Sequence, residues 1–328
     1  MESAALDLLT VCPGCRTRSD RGLELQTLER VGDELVCSCG RRYPIIDGVP
    51  IVTADPAAYL AAGSTVVEDG LVPDLDRALQ GPDEAAYPRL LEHLSIYLDA
   101  HWGDRATPPP QSGFSEALIE RIAARGSHHV AAAIELGCSV GRIALELARG
   151  ADRVVGIDLH LGAVRRARHL LAGETIPYAR RIAGRHYAVA TARGERIAPE
   201  RLHLVCGDAL DPPCVPEVFD RVVALNLLDS VPSPRQLLSV IDGLCRPGGE
   251  VILSSPYAWL GSTLPDHERI GGSDPATAVV EILRTGQGLR APYTIEDQAE
   301  VPWTLRRDAR SVVTYQLHYV RARKAQGT

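Results

Sequence analysis

The stretch "IELGCSVGR", residues 134–142, admits two chemistries. As Gly137-x-Ser139-x-Gly141 it has the spacing that sets a nucleophilic serine on a sharp strand-to-helix turn. As an apolar strand entering a glycine turn and then a helix, it is a mononucleotide-binding loop, and Ser139 merely fills a tight bend. A hydrolytic serine needs an acid and a histidine, for which Asp229 or Asp266 with His267 could nominally serve. It also needs oxyanion donors on an earlier loop, and no His-Gly-Gly-Gly-like stretch precedes Ser139. A nucleotide loop needs acids at the following strand ends instead. Asp158 closes the next apolar run seventeen residues beyond Gly141, where it can accept hydrogen bonds from ribose hydroxyls. Gly207-Asp208-Ala209 closes the third run, with an acid able to receive an exocyclic amine, and Asn226-Leu227 follows the fourth. Ser139 is read as a turn residue. The candidate cofactor-binding set is Glu135, Gly137, Cys138, Ser139, Gly141, Asp158, Leu159, Gly207, Asp208, Ala209, Asn226 and Leu227.

A second constellation lies near the N-terminus, as 12-CPGC-15 followed by 37-CSC-39. Thiolates are good ligands for tetrahedral zinc, and Cys12, Cys15, Cys37 and Cys39 together would close a site of four sulfurs. A closed site leaves no position for substrate, so the metal is structural. About fifty residues form too small a core to stand alone, which gives a metal staple its purpose. The second pair is Cys-x-Cys where zinc ribbons usually have Cys-x-x-Cys; four reduced thiols without metal are the alternative. The other cysteines, Cys138, Cys206, Cys214 and Cys245, sit among apolar neighbours and read as small buried hydrophobes.

The elements that must position these groups alternate from residue 130 onward. Apolar runs read as strands at 130-VAAAIELG, 153-RVVGID, 202-LHLVCGD, 219-FDRVVALN and 250-EVILSSPY. Helices fit between several of them, at 142-RIALELARG, 162-GAVRRARHLLAG and 234-PRQLLSVIDGLCRPGG. This alternation predicts a mostly parallel α/β sheet covered on both faces, with ligands beyond the carboxyl ends of the strands. Upstream, helices are predicted over 84–104 and 115–126; Pro108, Pro109 and Pro110 separate them and stiffen a linker.

The fragments "ELGCSVGR", "GID", "GDAL", "FDRVVALN" and "RPGGEVILSSP" occur in order at the right intervals over residues 130–257. As a series they resemble the motifs of class I S-adenosylmethionine-dependent methyltransferases. The resemblance implies a Rossmann-like, mostly parallel sheet of seven strands, with Asp158 on the ribose and Asp208, beside Ala209, on the adenine. Residues 8–54, above all "GRRYPIIDGVPIV", resemble small zinc-ribbon-like proteins that stabilise tRNA and translation-factor methyltransferases. In those the Tyr-Pro-Ile and Asp-Gly-Val-Pro pieces form a strand, a turn and a second strand.

Residues 90–323 resemble, more narrowly, the methyltransferase module of ovothiol-biosynthesis enzymes, thought to methylate a ring nitrogen of mercaptohistidine. The shared pieces are "YLDAHWGD" (97–104), the insertion before "GDA", "ALNLLDSVPSPRQLL" (224–238), "SSPYAWL", "ERIGG" and the closing run 302–323. Two departures set this chain apart. The iron-dependent sulfoxide-synthase part has no counterpart and a cysteine-rich lobe stands in front instead. The family's Glu-x-Trp-Leu-Gly-Gly is here Glu268-Arg269-Ile270-Gly271-Gly272, without the tryptophan.

These readings divide the chain into a zinc-ribbon-like lobe (1–54), a helical connector and active-site lid (55–112), and a cofactor-binding domain (113–328) with substrate insertions at 174–201 and 256–300. The expected activity is methyl transfer from S-adenosylmethionine to a ring nitrogen of an imidazole or histidine-derived metabolite, with zinc as structural metal. The alternative keeps the cofactor and makes RNA or protein the substrate, with the lobe as docking module. A neutral ring nitrogen offers its own lone pair, so no strong base is required; His101, Tyr187, Tyr257 and His267 are the candidate catalytic groups.

Composition fits an ordinary globular protein: 328 residues, 45% hydrophobic and 23% charged. A net charge of −7 argues against a broad nucleic-acid surface, and 179-ARRIAGRH is the best candidate basic stretch. No apolar run approaches the roughly 20 residues a membrane span needs, and MESAALDLLT lacks the build of a signal peptide. A cytoplasmic enzyme with a small-molecule substrate is expected; the oligomeric state is left open.

Overall fold

The computed structural model describes residues 11–15, 17–19, 22–61, 86–109, 116–124, 128–184, 186–259 and 264–326. Much of the connector, from 62 to 85, and Pro110 lie outside the described residues. Seven strands form the central sheet: β1 Val130–Leu136, β2 Ala151–Asp158, β3 Leu202–Cys206, β4 Phe219–Leu225, β5 Cys245–Ser255, β6 Tyr293–Arg306 and β7 Val312–Lys324. Their spatial order is β3-β2-β1-β4-β5-β7-β6. The first five run parallel, and β7 is antiparallel to both β5 and β6. The chain leaves β1 toward β2 on one side and later returns to β4 on the other. That reversal of strand order opens a crevice above the carboxyl ends.

The helices are α1 Pro56–Ala61, α2 Ala86–Trp102, α3 Glu116–Ala123, α4 Arg142–Arg149, α5 Leu161–Leu171, α6 Pro234–Leu244 and α7 Pro275–Thr285. On one face Leu237 and Ile241 of α6 and Val279 and Ile282 of α7 pack on Ile134, Val222 and Val251. On the other, Leu98 of α2, Ile119 of α3 and Ile143 of α4 pack on Ala133, Val223 and Ile252. Both sides of each central strand are therefore buried, which is why these strands read as unbroken apolar runs.

Two elements differ from the sequence reading. The α6 region was read as helical through Gly249, but the helix ends at Leu244 and β5 begins at Cys245. Pro247 cannot continue a helical ladder and Gly248 adopts φ +72. The insertion before β3 is a β-hairpin, Thr175–Ala183 paired with His186–Arg193 and joined by Ala106–Thr107. Its alternating polar and apolar residues have period two, a signal that the surrounding charge obscured.

In the N-terminal lobe, strands Glu29–Val31, Glu34–Val36, Arg42–Ile46 and Val49–Pro50 form an antiparallel sheet. Its last hairpin turns through Asp47 and Gly48, at φ 50 and 73, the left-handed pair a two-residue hairpin loop demands. The lobe is joined to the main sheet by backbone. Ile51 bridges Cys206 in parallel, Val52 N–H donates to the Cys206 carbonyl at 2.8 Å, and Val11 N–H donates to the Pro213 carbonyl at 2.8 Å. Leu35, Tyr43 and Val52 belong to the same core as β1 and β4.

A buried ionic knot fixes α2 over the sheet. The Asp99 carboxylate accepts from Tyr178 Oη at 2.5 Å, from Arg180 Nε at 2.9 Å and from Arg306 Nη1 at 3.3 Å. It thereby ties α2 to the hairpin and to β6. Arg180 also donates to the Pro108 carbonyl at 2.6 Å, which holds the proline linker in place. Removing one partner from a buried ion pair strands the other charges and costs about 3–5 kcal/mol. Asp99→Ala is therefore expected to lower unfolding free energy by about that amount in urea titration, while Asp266→Ala, on a carboxylate whose side chain is 89% exposed, changes it by less than about 0.5 kcal/mol.

Candidate functional site

The crevice is built on backbone that only certain residues tolerate. Gly137, Ser139 and Gly141 all have left-handed φ, at 78, 46 and 79, so the chain after β1 turns tightly into α4. A side chain at Gly141 would meet the Ala167 Cβ at 2.8 Å and Leu171 Cδ1 at 2.9 Å, so glycine is required there for α5 to pack close. Asp158 ends β2 beside this bend: its Oδ2 accepts from Ser139 N–H at 2.9 Å and its Oδ1 from His160 N–H at 2.7 Å. Burial pushes the Asp158 pKa up, and these two amides oppose it. The neighbouring strand brings Asp208 alongside, since Cys206 pairs with Asp158 and Gly207 N–H donates to the Asp158 carbonyl at 3.0 Å. Asp208 Oδ1 accepts from Leu210 N–H at 2.8 Å. Ala209 is buried beneath it, and Leu159 is 49% exposed at the rim, an apolar surface left open beside the two acids.

Several buried polar atoms around this bend lack partners among the described residues: Glu135 Oε2, Ser139 Oγ and His160 Nε2. Burial and the Asp158 charge both push the Glu135 pKa well up. Orphaned atoms of this kind are costly and call for a polar ligand. A methionyl amino-carboxylate beside the bend and an adenosine across Asp158 and Asp208 match this donor and acceptor set. S-adenosylmethionine therefore fits the residues present. The Ser139 hydroxyl has no histidine partner, so the serine-nucleophile chemistry has no base to work with. At the fourth tip Asn226, at φ 54, accepts from Ser254 Oγ at 3.0 Å, and Leu227 closes to 3.2 Å of where a Gly137 side chain would sit.

The four candidate catalytic groups lie on four different segments of the fold. His101, at the end of α2, stacks 5.8 Å from Tyr97; burial lowers its pKa to about 4, so the imidazole is neutral. Tyr257, after β5, meets His318 Nδ1 at 2.8 Å, and burial raises its pKa. Tyr187 lies on the hairpin, opposite Arg181, on the face away from buried Tyr178 and Arg180. His267 sits in a short 3-10 turn with its side chain 80% exposed. Sequence reasoning missed Tyr97, His160 and His318. His160 caps α5 by accepting from Ala163 N–H at 3.1 Å, an unusual cap that no residue preference marks.

The four lobe cysteines do converge. Their sulfurs all lie within 4.8 Å of one another, with Cys12 4.0 Å from Cys39 and Cys15 3.6 Å from Cys37. Sulfurs about 2.3 Å from a tetrahedral zinc lie about 3.8 Å apart, so this spacing matches a metal cage and is too wide for disulfides. The Cys-x-Cys pair reaches it because Gly40, at φ 86, turns the chain back and donates its N–H to the Cys37 carbonyl at 2.9 Å. No helix among the described residues is long and apolar enough to cross a membrane.

Residues 134–253 match the methyltransferase domain family. Among curated proteins the chain is similar to the ubiquinone biosynthesis O-methyltransferase of Xylella fastidiosa strain M23, 23% identical over 167 residues, or 50% of this chain and 58% of that protein. The chain thus spans little more than half the length of that relative. It is also similar to a UPF0434 protein of Cupriavidus necator, 34% identical over 71 residues, covering 21% of this chain and 93% of that protein. Among solved structures, the N-methyltransferase NodS from Bradyrhizobium japonicum WM9 aligns with a TM-score of 0.42 and 16% identity, over 64% of this chain and 93% of that one. Residues 134–253 thus carry a methyltransferase domain, in a sheet with the strand order of the class I S-adenosylmethionine-dependent methyltransferase fold, and through the 71-residue match the chain belongs to the family of the UPF0434 proteins.

Proposed function

We propose that the protein transfers a methyl group from S-adenosylmethionine to a ring nitrogen of a small polar metabolite, an imidazole or histidine-derived compound. The observation that carries this reading is the pair of acids, Asp158 and Asp208, on adjacent strand tips beside a left-handed bend with unpartnered polar atoms. Asp158 would hold the ribose hydroxyls, and Asp208 with Gly207 and Ala209 the adenine, against Leu159. Glu135, Ser139 and the backbone of Gly137, Cys138 and Gly141 would receive the methionyl end, with Asn226 and Leu227 closing the other side. When bound, S-adenosylmethionine supplies an electrophilic methyl group open to direct displacement. The protein's task is then to align the acceptor and exclude water.

A neutral azole nitrogen needs no base, which agrees with a site whose histidines are held neutral by burial. Tyr257 and His101 would shape the acceptor side, while the exposed His267 and the outward Tyr187 are weaker candidates for contact. In this reading residues 1–54 act as a stapled lobe, 55–112 as connector and lid, and 113–328 as the transfer domain. Zinc, held by Cys12, Cys15, Cys37 and Cys39, is structural because four sulfurs complete its shell. A closed four-sulfur site supplies no Lewis acid to the reaction.

Calorimetry with S-adenosylmethionine tests the reading directly. Binding by the wild type is expected to weaken about tenfold to a hundredfold in Asp158→Ala, since a charged hydrogen bond contributes ~1.5–3 kcal/mol. Asp208→Asn is expected to weaken it less, and a wild type that does not bind would end the assignment. Zinc is tested separately: elemental analysis should find about one zinc per chain, and stripping it should remove about 2.7 kcal/mol of stability if zinc had been at about a hundred times its Kd. A metal-free protein with unchanged melting under chelator would exclude the staple.

A further inference from the structure

Beyond the crevice, the segment after β5 is held in a conformation its residues do not favour. Tyr257 and Trp259 both have left-handed φ, at 52 and 42. For bulky side chains this is costly backbone, and it persists only where the surroundings impose it. Here Asp229 imposes it: Asp229 Oδ2 accepts from Ala258 N–H at 2.9 Å, and Ser255 Oγ accepts from Tyr257 N–H at 3.0 Å. The strain presents the Tyr257 and Trp259 rings together, 5.6 Å apart, with His318 stacked 5.9 Å from Tyr257.

Asp229 is only 4% exposed, and its Oδ1 has no partner among the described residues. Its partners are the Ala258 amide on Oδ2, its own backbone amide and the Ser255 hydroxyl, all neutral. A buried carboxylate held only by neutral groups is a vacancy for positive charge. The surrounding field has the same sign. Glu300 and Asp274, with Asp229, reinforce burial in keeping the Tyr257 hydroxyl protonated. Asp229 lies four residues past the end of β4 and holds the segment just past β5, so it stands at the carboxyl ends of the strands. Aromatic faces beside carboxylates are the surroundings that recognise cationic nitrogen.

We infer that Asp229 Oδ1 docks a cationic nitrogen of the methyl acceptor, with the Tyr257 and Trp259 rings beside it. The acceptor is then a small molecule with an ammonium or imidazolium group, and an anionic acceptor is rejected by the same carboxylates. The docked charge is distinct from the attacking nitrogen, which must be neutral to carry its lone pair. This inference rests on the methyl-transfer reading, and its test separates the two.

Calorimetry on the full chain, with and without saturating S-adenosylhomocysteine, would use histamine as cationic probe and imidazole-4-acetate as anionic counterpart. Histamine is expected to bind about tenfold more tightly than imidazole-4-acetate or better. Asp229→Asn should abolish that preference while S-adenosylhomocysteine affinity stays within about twofold, and Asp229→Glu, which keeps the charge, should retain part of it. Equal binding of the two probes by the wild type, or a preference that survives Asp229→Asn, overturns the docking role. A wild type that discriminates the probes yet does not bind S-adenosylhomocysteine supports the docking role and overturns the methyl-transfer reading instead.

Discussion

The Asp158 carboxylate is the interaction on which the site depends. One oxygen takes the Ser139 amide and the other the His160 amide, so a single side chain joins the bend after β1 to the start of α5. Without it the left-handed bend would lose its lateral support and the ligand crevice its floor. A buried acid is expensive, and this one is stabilised by two backbone amides and by the neighbouring His160 ring. It is thus set to accept further donors, as ribose hydroxyls would be.

The rest of the molecule secures that floor from above and from the side. From above, the Trp102 indole N–H donates to the Val140 carbonyl at 3.0 Å, pinning the end of α2 to the bend itself. Arg142, the first residue of α4, donates to the His101 carbonyl and to Asp104, at 3.1 and 2.7 Å. From the side, the lobe extends the sheet edge at Cys206, and Tyr59 of α1 donates to the Leu159 carbonyl at 2.5 Å. The lobe is therefore part of the wall beside the strand tips that carry Asp158 and Asp208. The order of the four-cysteine lobe is therefore linked to those strand tips through the Ile51–Cys206 backbone pairing.

Backbone strain follows the same map. Among the described residues, four of the six non-glycine positions with left-handed φ, Ser139, Asn226, Tyr257 and Trp259, lie just beyond the carboxyl ends of β1, β4 and β5. Strain concentrated at the mouth of the sheet is stabilised by the buried apolar layers beneath it. The orphaned atoms Glu135 Oε2, Ser139 Oγ and Asp229 Oδ1 lie in the same region. Three unsatisfied groups thus lie at the carboxyl ends of the parallel strands, while His203 Nε2 and Trp303 Nε1 are unsatisfied elsewhere on the sheet.

Much of this architecture was legible in the residues because it rests on local chemistry. Strands buried on both faces must be continuously apolar, and a strand entering a glycine turn and then a helix marks the bend from Gly137 to Gly141, while the turn at Asp47-Gly48 followed only from the resemblance of residues 8–54 to zinc-ribbon-like proteins. The acids Asp158 and Asp208 were visible because strand ends are easily located, and the cysteine pairs because their spacing is itself a ligand pattern. Other features depend on contacts between segments distant in the chain. No local rule pairs Ile51 with Cys206, caps α5 with His160, exposes His267 or sets Tyr187 on the hairpin face opposite Tyr178. In the sequence Asp229 stands out only as a nominal acid partner for Ser139 and His267. Only the packing of the segment after β5 removed its water, occupied one oxygen and left the other without a donor. Sequence by itself determined the sheet, the bend and the paired acids; tertiary structure decided which buried groups remain unsatisfied, because a hydrogen-bond deficit is a property of surroundings and not of any one residue.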